Sequence, residues 1–206
     1  MLVADWSSIY MPRPANPDAR NRLCSAGGEL IHRTSFSSTG VQEITSAARV
    51  PKGSFYSYFD SKDAYAAEIL DEYWRMIDES FGHILRDESL TPLQAVRDFF
   101  GALVEYHADR QFIPGCLVGN LALELAATSD LVRGKLRHLF SQWTAELTAR
   151  LAEARLTKAL PLGAEPGEVA ACLIDAFEGA VLRAKVDQSR TALKRFQDFV
   201  LPRLLG

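Results

Sequence analysis

Apolar residues recur along this chain at three- and four-residue intervals almost from end to end, the period of helices that bury one face. No stretch alternates with the period of two that a half-buried strand requires, so an all-α fold is expected. Asn16 followed by Pro17 predicts a helix start, and Leu23, Ala26, Leu30 and Ile31 carry that helix to about Arg33. Gly27 and Gly28 inside it cost roughly 1 kcal/mol each relative to alanine, which predicts close approach of another helix there. Val41, Ile44 and Ala48 then share one face of a short helix, with Thr39 as its cap and Gln42 closing a capping box. Arg49-Val50 forms a turn and Pro51 opens the next helix, on which Phe55 and Phe59 share a face. Ser61 caps a helix running through Ile69, Leu70, Tyr73, Trp74 and Ile77 to about Gly82, and Thr91-Pro92 opens another carrying Val96, Phe99, Phe100, Leu103 and Val104. Further helices are expected over 117–127 and 130–156, followed by a proline- and glycine-rich linker over 160–166. From Gly167 to about Asp187, Val169, Cys172, Leu173, Ala176, Phe177, Ala180, Val181 and Ala184 make an unbroken stripe. Such a stripe must be covered. A last helix over 192–205 offers Leu193, Phe196, Phe199, Val200 and Leu204.

Two short helices joined by a tight turn are the plan of a helix-turn-helix, and the second leaves Lys52, Gly53, Ser54, Tyr56 and Ser57 off its packing face. The run Val50-Pro51-Lys52-Gly53-Ser54-Phe55-Tyr56-Ser57-Tyr58-Phe59, followed by Ser61-Lys62-Asp63-Ala64 and preceded by Ile44 and Ala47-Ala48, closely resembles the DNA-binding signature of TetR-type transcriptional regulators. The likeness covers the first third of the chain. It departs from the family pattern at Arg49, where the family usually has glycine and where arginine reaches a left-handed conformation only at some cost. With a flexible arm expected over 1–15 from its prolines, the resemblance implies an N-terminal three-helix DNA-binding domain over 16–62 and a C-terminal helical domain over 63–206 for ligand sensing and dimerisation. It also implies that Thr39, Gln42, Lys52, Gly53, Ser54, Tyr56, Ser57, Tyr58 and Lys62 lie at or near DNA. Gln42 can contact adenine bidentately, Lys52 suits guanine edges, and Lys62 meets a phosphate at the start of its helix. In such proteins the last two helices pair with those of a second subunit, so the double-stranded operator is expected to be a pseudo-palindrome. The helix from Asp63 is the family's connecting helix, whose movement changes the separation of the two reading heads.

Charge sharpens this division. The net charge of −3 over 206 residues does not mark a general nucleic-acid binder. Residues 13–62, however, carry seven Lys and Arg against four Asp and Glu, whereas residues 63–206 carry sixteen against twenty-one. A basic module on an acidic body presents phosphate-binding charge at one end. The first fourteen residues, with Asp5, Pro12 and Pro14, lack the basic start and apolar stretch of a secretory signal. Asn120 and Glu124 interrupt the best candidate for a membrane span. Three cysteines without paired spacing fit reduced thiols, so a cytoplasmic protein is expected.

Sensing chemistry is most suggestive at Ile113-Pro114-Gly115-Cys116-Leu117, where a cysteine opens an apolar helix. Backbone N–H groups and the helix dipole there predict a thiolate-prone, reactive Cys116. Its placement, with Ala184-Lys185 late in the long penultimate helix, is similar to a branch of the family containing the N-ethylmaleimide reductase repressor and the acrylate-responsive repressor. That likeness implies a response to electrophiles, oxidants or small unsaturated acids, with Cys116 the sensing thiol and Lys185 its cationic neighbour or an anion-binding group. Trp74, His107, Asn120, Trp143, Phe177 and Glu178 are further candidates for a ligand cavity. The alternative is a multidrug-type repressor that binds a lipophilic inducer without covalent chemistry. An enzyme is disfavoured: there is no phosphate-binding glycine loop, no G-x-S-x-G and no H-E-x-x-H. The four histidines form no metal-ligand spacing, and neither a metal nor a cofactor is expected.

Overall fold

The computed structural model describes residues 17–206 except 162 and 164, so the arm expected over 1–15 and the cap at Asn16 lie outside the described residues, as does part of the expected linker. The first helix, α1, is α-helical over Pro17–Arg22 and Gly28–Arg33, with one wider π turn, Leu23–Gly27, between them. The glycine pair sits where a neighbour presses closest. A Cβ on Gly27 would lie 2.4 Å from the Tyr65 hydroxyl and 2.7 Å from Ile44 Cγ2. The same Tyr65 hydroxyl donates to the Leu23 carbonyl at 2.7 Å.

Helix α2, Val41–Ala47, starts one residue later than the sequence suggests. Its cap is Gly40, whose N–H donates to the Glu43 carboxylate at 2.7 Å, so the box expected from Thr39 and Gln42 is formed by Gly40 and Glu43. Thr39 is unavailable because its hydroxyl donates to the Ser35 carbonyl at 2.7 Å and meets Thr34 at 2.8 Å. Arg49 takes the turn at φ 54, the left-handed region, and the Val50 N–H closes back on the Thr45 carbonyl at 2.9 Å. Pro51 is extended (ψ 136), so it precedes the second element rather than opening it, and Lys52–Ser57 is a short 3-10 segment. Phe55 and Phe59 anchor that segment against Tyr65, with ring separations of 5.3 and 4.9 Å.

Helix α3 covers Lys62–Ile77 and continues through a π turn, Asp78–Gly82, into His83–Leu85. The Ser61 hydroxyl accepts the Ala64 N–H at 2.9 Å, the cap that the sequence predicts. Four helices build the body around the end of α3: α4 (Pro92–Asp109, capped by Thr91), α5 (Leu117–Leu125), α6 (Asp130–Leu156, capped by Ser129) and α7 (Pro166–Asp187). The last helix, α8, covers Thr191–Arg195, a π turn at Phe196–Val200 and Leu201–Leu205. One apolar cluster extends from Ala19 to Leu205, and at its centre the rings of Phe100, Phe177 and Phe196 lie 5.1 to 5.4 Å apart. The stripe on α7 is covered only in part. Val169, Leu173, Phe177, Val181 and Ala184 are buried, Ala176 and Ala180 are half-buried, and Cys172 is exposed. Leu182, Val186 and, on α8, Phe199 also face outward. Among the described residues no strand is present, and no helix is long and apolar enough to cross a membrane.

Candidate functional site

Two regions carry polar chemistry, one at each end of α3. In the segment after the Arg49 turn the aromatic anchors point inward, which leaves Lys52, Gly53, Tyr56 and Ser57 exposed and Ser54 and Tyr58 half-buried. Gln42 is exposed on the first turn of α2, and nothing lies within 4 Å of the place where Gly53 would carry a Cβ. Two of the residues expected at DNA turn inward instead. Thr39 is only 2% exposed and serves the loop before α2. The Lys62 ammonium donates to the Phe36 carbonyl and stands 4.0 Å above the Phe36 ring, where desolvation lowers its pKa from the usual lysine range. Thr39 and Lys62 thus brace the α1–α2 loop, with donors of the half-buried Lys62 ammonium left over beyond its bond to Phe36.

The second region is a cavity of about 320 Å³ between α5, α6 and α7. Four of the expected sensing residues, Cys116, Asn120, Glu178 and Lys185, meet in its wall, with Leu123 and Phe140 among the apolar lining. Two glycines make room for the charged side chains of α7. Gly115, at φ 70, would place a Cβ 3.1 Å from Lys185 Cδ, and Gly119 would place one 2.5 Å from Glu178 Oε2. The Lys185 ammonium donates to the Pro114 carbonyl at 3.2 Å and to Asn120 Oδ1 at 3.1 Å, while Asn120 Nδ2 donates to Pro114 at 2.8 Å. An ammonium has three donors, so one remains for an acceptor in the cavity.

The cavity does not activate Cys116 in the way its helix position predicts. Burial, reinforced by the neighbouring Glu178 carboxylate, pushes the thiol pKa well above its usual value of 9.0. The backbone N–H groups of Gly119 and Val118 act in the expected direction but are outweighed. The resting thiol is therefore protonated. Burial also raises Glu178 to about 7, and its Oε1 has no hydrogen-bond partner among the described residues.

Trp74, His107, Trp143 and Phe177 do not line this cavity. They form the aromatic packing behind it, with Trp74 against Trp143 at 5.8 Å, Trp143 against Phe177 at 6.1 Å and His107 against Phe177 at 6.0 Å. Burial lowers the His107 pKa to about 4 and keeps the ring neutral. Sequence reasoning missed the links from cavity to reading head. The Tyr73 hydroxyl of α3 lies 4.0 Å from Cys116 Sγ. The His32 Nε2 of α1 meets the Gly115 carbonyl at 2.8 Å, and burial holds that imidazole neutral with a pKa of about 4. Glu124 of α5 accepts the backbone N–H groups of Phe36 and Ser37 at 3.2 and 2.8 Å, and Arg110 forms an ion pair with Glu29 at 2.9 Å. A glutamate within an apolar helix and a histidine on a packing face were the available signals, but neither names its partner.

Comparison with known proteins bears on both regions. The family model of bacterial regulatory proteins of the tetR family matches residues 23–69, and that of the tetracyclin repressor-like C-terminal domain matches residues 92–200. The HTH-type transcriptional repressor DhaR of Mycobacterium sp. (strain GP1) is 34% identical over 191 residues, 93% of this chain and 94% of that protein. The transcriptional regulator AcuR of Cereibacter sphaeroides is 36% identical over 192 residues, 90% of this chain and 85% of that protein. This chain belongs to the TetR family. Among solved structures, a TetR regulatory protein from Rhodobacter sphaeroides superposes with a TM-score of 0.81 at 34% identity, covering 91% of this chain and 99% of that one. The reduced form of Escherichia coli NemR does so with a TM-score of 0.78 at 26% identity, covering 92% and 98%. The segment Lys52–Ser57 lies within the part matched by the tetR-family helix-turn-helix model, and TetR-family regulators bind operator DNA as dimers.

Proposed function

We propose that this TetR-type transcriptional repressor is a homodimer whose hold on a pseudo-palindromic operator is set by a small molecule in the α5–α6–α7 cavity, with Cys116 as a covalent sensing group. The supporting observation is convergence: Cys116, Asn120, Glu178 and Lys185, spread over seventy residues of sequence, line one cavity, and Tyr73 of the connecting helix touches the thiol. An inducer with a carbonyl or carboxylate oxygen suits the free donor of Lys185, and a short apolar body suits Leu123, Phe140 and Val181. An electrophilic carbon on that body would meet the thiol. Addition there would crowd Tyr73 and shift α3, favouring a state with the heads at the wrong separation for the operator.

The reading divides the chain into a DNA-binding part over 16–62 and a sensing and dimerising part over 63–206, acting in the cytoplasm. Dimerisation falls to α7 and α8, whose exposed Leu182, Val186 and Phe199 would be covered by a second copy. A second reading, non-covalent capture of a lipophilic inducer, draws on the protonated state of Cys116 and the mainly apolar lining. Fluorescence anisotropy separates the two. Wild-type and Cys116→Ser proteins are titrated onto DNA from the protein's own upstream region, with and without an α,β-unsaturated carbonyl compound. Release in the wild type alone supports the covalent reading, whereas release in both proteins replaces it with the non-covalent one. Specific binding that no such compound weakens in either protein would sink the covalent reading.

A further inference from the structure

Resting on the covalent reading above, one problem remains for chemistry: a buried, protonated thiol is a poor nucleophile, and nothing in that reading deprotonates it. The cavity wall contains a group suited to the task. Glu178 reaches from α7 to the opening turn of α5, its Oε2 lies where Gly119 would carry a side chain, and that same Cβ place is 3.9 Å from Cys116 Cβ. The carboxyl therefore stands beside the Cys116 thiol, whose pKa it helps to raise, while Oε1 is buried without a hydrogen-bond partner among the described residues.

We propose that Glu178 is the general base that takes the Cys116 proton as the thiol adds to an α,β-unsaturated carbonyl inducer, and the acid that returns it. In the first step the S–H proton passes to the Glu178 carboxylate and the sulfur electron pair forms the S–C bond at the β-carbon. The C=C π electrons move onto the carbonyl oxygen, where Lys185 stabilises the enolate. In the second step the proton on Glu178 goes to the α-carbon as the carbonyl re-forms. The product is a thioether, with no oxidant or reductant consumed. The absence of a side chain at Gly119 is what admits the carboxyl to the thiol.

The charged and titratable groups around Glu178 are few: Cys116 on the turn that starts α5, Tyr73 on α3 and Lys185 on its own helix. With its pKa at about 7, Glu178 becomes a carboxylate as pH rises through neutrality. A thiol relying on its own ionisation would instead gain about tenfold in rate per pH unit without levelling off, because its pKa lies well above 9.0.

The test uses the full-length protein in a Cys172→Ser background, which removes the exposed thiol, with acrylamide as the neutral probe and intact mass as the readout. The rate of Cys116 modification should rise between pH 6 and 8 and level off above the Glu178 transition. Glu178→Gln should be roughly 10²-fold slower at pH 8 and lose the plateau, while Glu178→Asp keeps it at a reduced rate. A wild-type rate that climbs tenfold per pH unit through pH 9 would overturn the assignment without recourse to any variant. So would Glu178→Gln reacting as fast as wild type; covalent sensing would survive either result. No modification of Cys116 in the wild type would remove the covalent reading and this proposal with it.

Discussion

The helix-turn-helix head and the α5–α6–α7 cavity hold their polar groups in opposite ways. In the head an aromatic core of Phe55, Phe59 and Tyr65 is buried, while Lys52, Tyr56 and Ser57 stand outside it in water. In the cavity the charged groups themselves go inside: Glu178 and Lys185 enter among apolar side chains, and each is accommodated by a glycine on the facing segment. Exposed groups are nearly independent of one another and of the fold. Buried ones share partners, so their pKa values and geometry are set jointly. The head is built to be altered one contact at a time, and the cavity to respond as a unit.

The largest expected effect strikes the head through its core. Gly27→Val would force two methyl groups into the space of the Tyr65 hydroxyl and Ile44, and overpacking of this kind costs about 1 to 3 kcal/mol or more. At roughly 2 to 4 °C per kcal/mol, the thermal midpoint should fall by several degrees and operator binding with it. An unchanged melt would mean that the head tolerates what the packing forbids.

Acid should weaken the interior rather than the head. His32 and His107, with pKa values lowered to about 4, bind protons more readily when unfolded, so their contribution to stability falls as pH drops from 6.5 towards 4. Glu178, raised to about 7, works the other way, because the folded state binds its proton more readily between pH 7 and 4.5. Two protons against one leave a net loss of about 1.4 kcal/mol per pH unit from these three groups. Urea midpoints at pH 6.5 and 5 should show it, and His32→Gln should flatten the slope. An equal slope in that variant would remove His32 from the account.

The smallest effect separates the regions most cleanly. Lys52→Ala should weaken operator binding by about 1 kcal/mol and reduce the salt dependence of the affinity by about one phosphate contact, with stability changed by less than about 0.5 kcal/mol. The rate of Cys116 modification should be unaltered. A change in that rate would show that the two regions are less separable than their construction implies.

Legibility in the sequence follows the same contrast. The head rests on local signals, so periodicity, Ser61 as a cap and the Phe55–Phe59 pair all anticipate the structure, and the errors are single-residue shifts at Gly40 and Pro51. The bounds of α6, at Asp130 and Leu156, were legible for the same reason. The place of Lys62 in the motif was visible, while the Phe36 ring that it packs over was not. Cys116 was misread in direction: the helix terminus is local, but burial beside Glu178 is a tertiary fact. That Trp74 and Trp143 pack behind the cavity rather than within it likewise depends on how α3 and α6 cross, which no spacing encodes.

Helix α5 has a mechanical consequence. It is a short, stiff rod of nine residues, about 13 Å long at 1.5 Å per residue. Cys116 stands at one end and Glu124, holding the Phe36 and Ser37 N–H groups, near the other. Pivoting such a rod by about 5° moves its far end by about 1 Å, enough to stretch a hydrogen bond of ordinary length past its useful range. On the proposed addition at Cys116, a few atoms at the thiol would act on a lever arm, with the loop that leads into α2 where the stroke is longest.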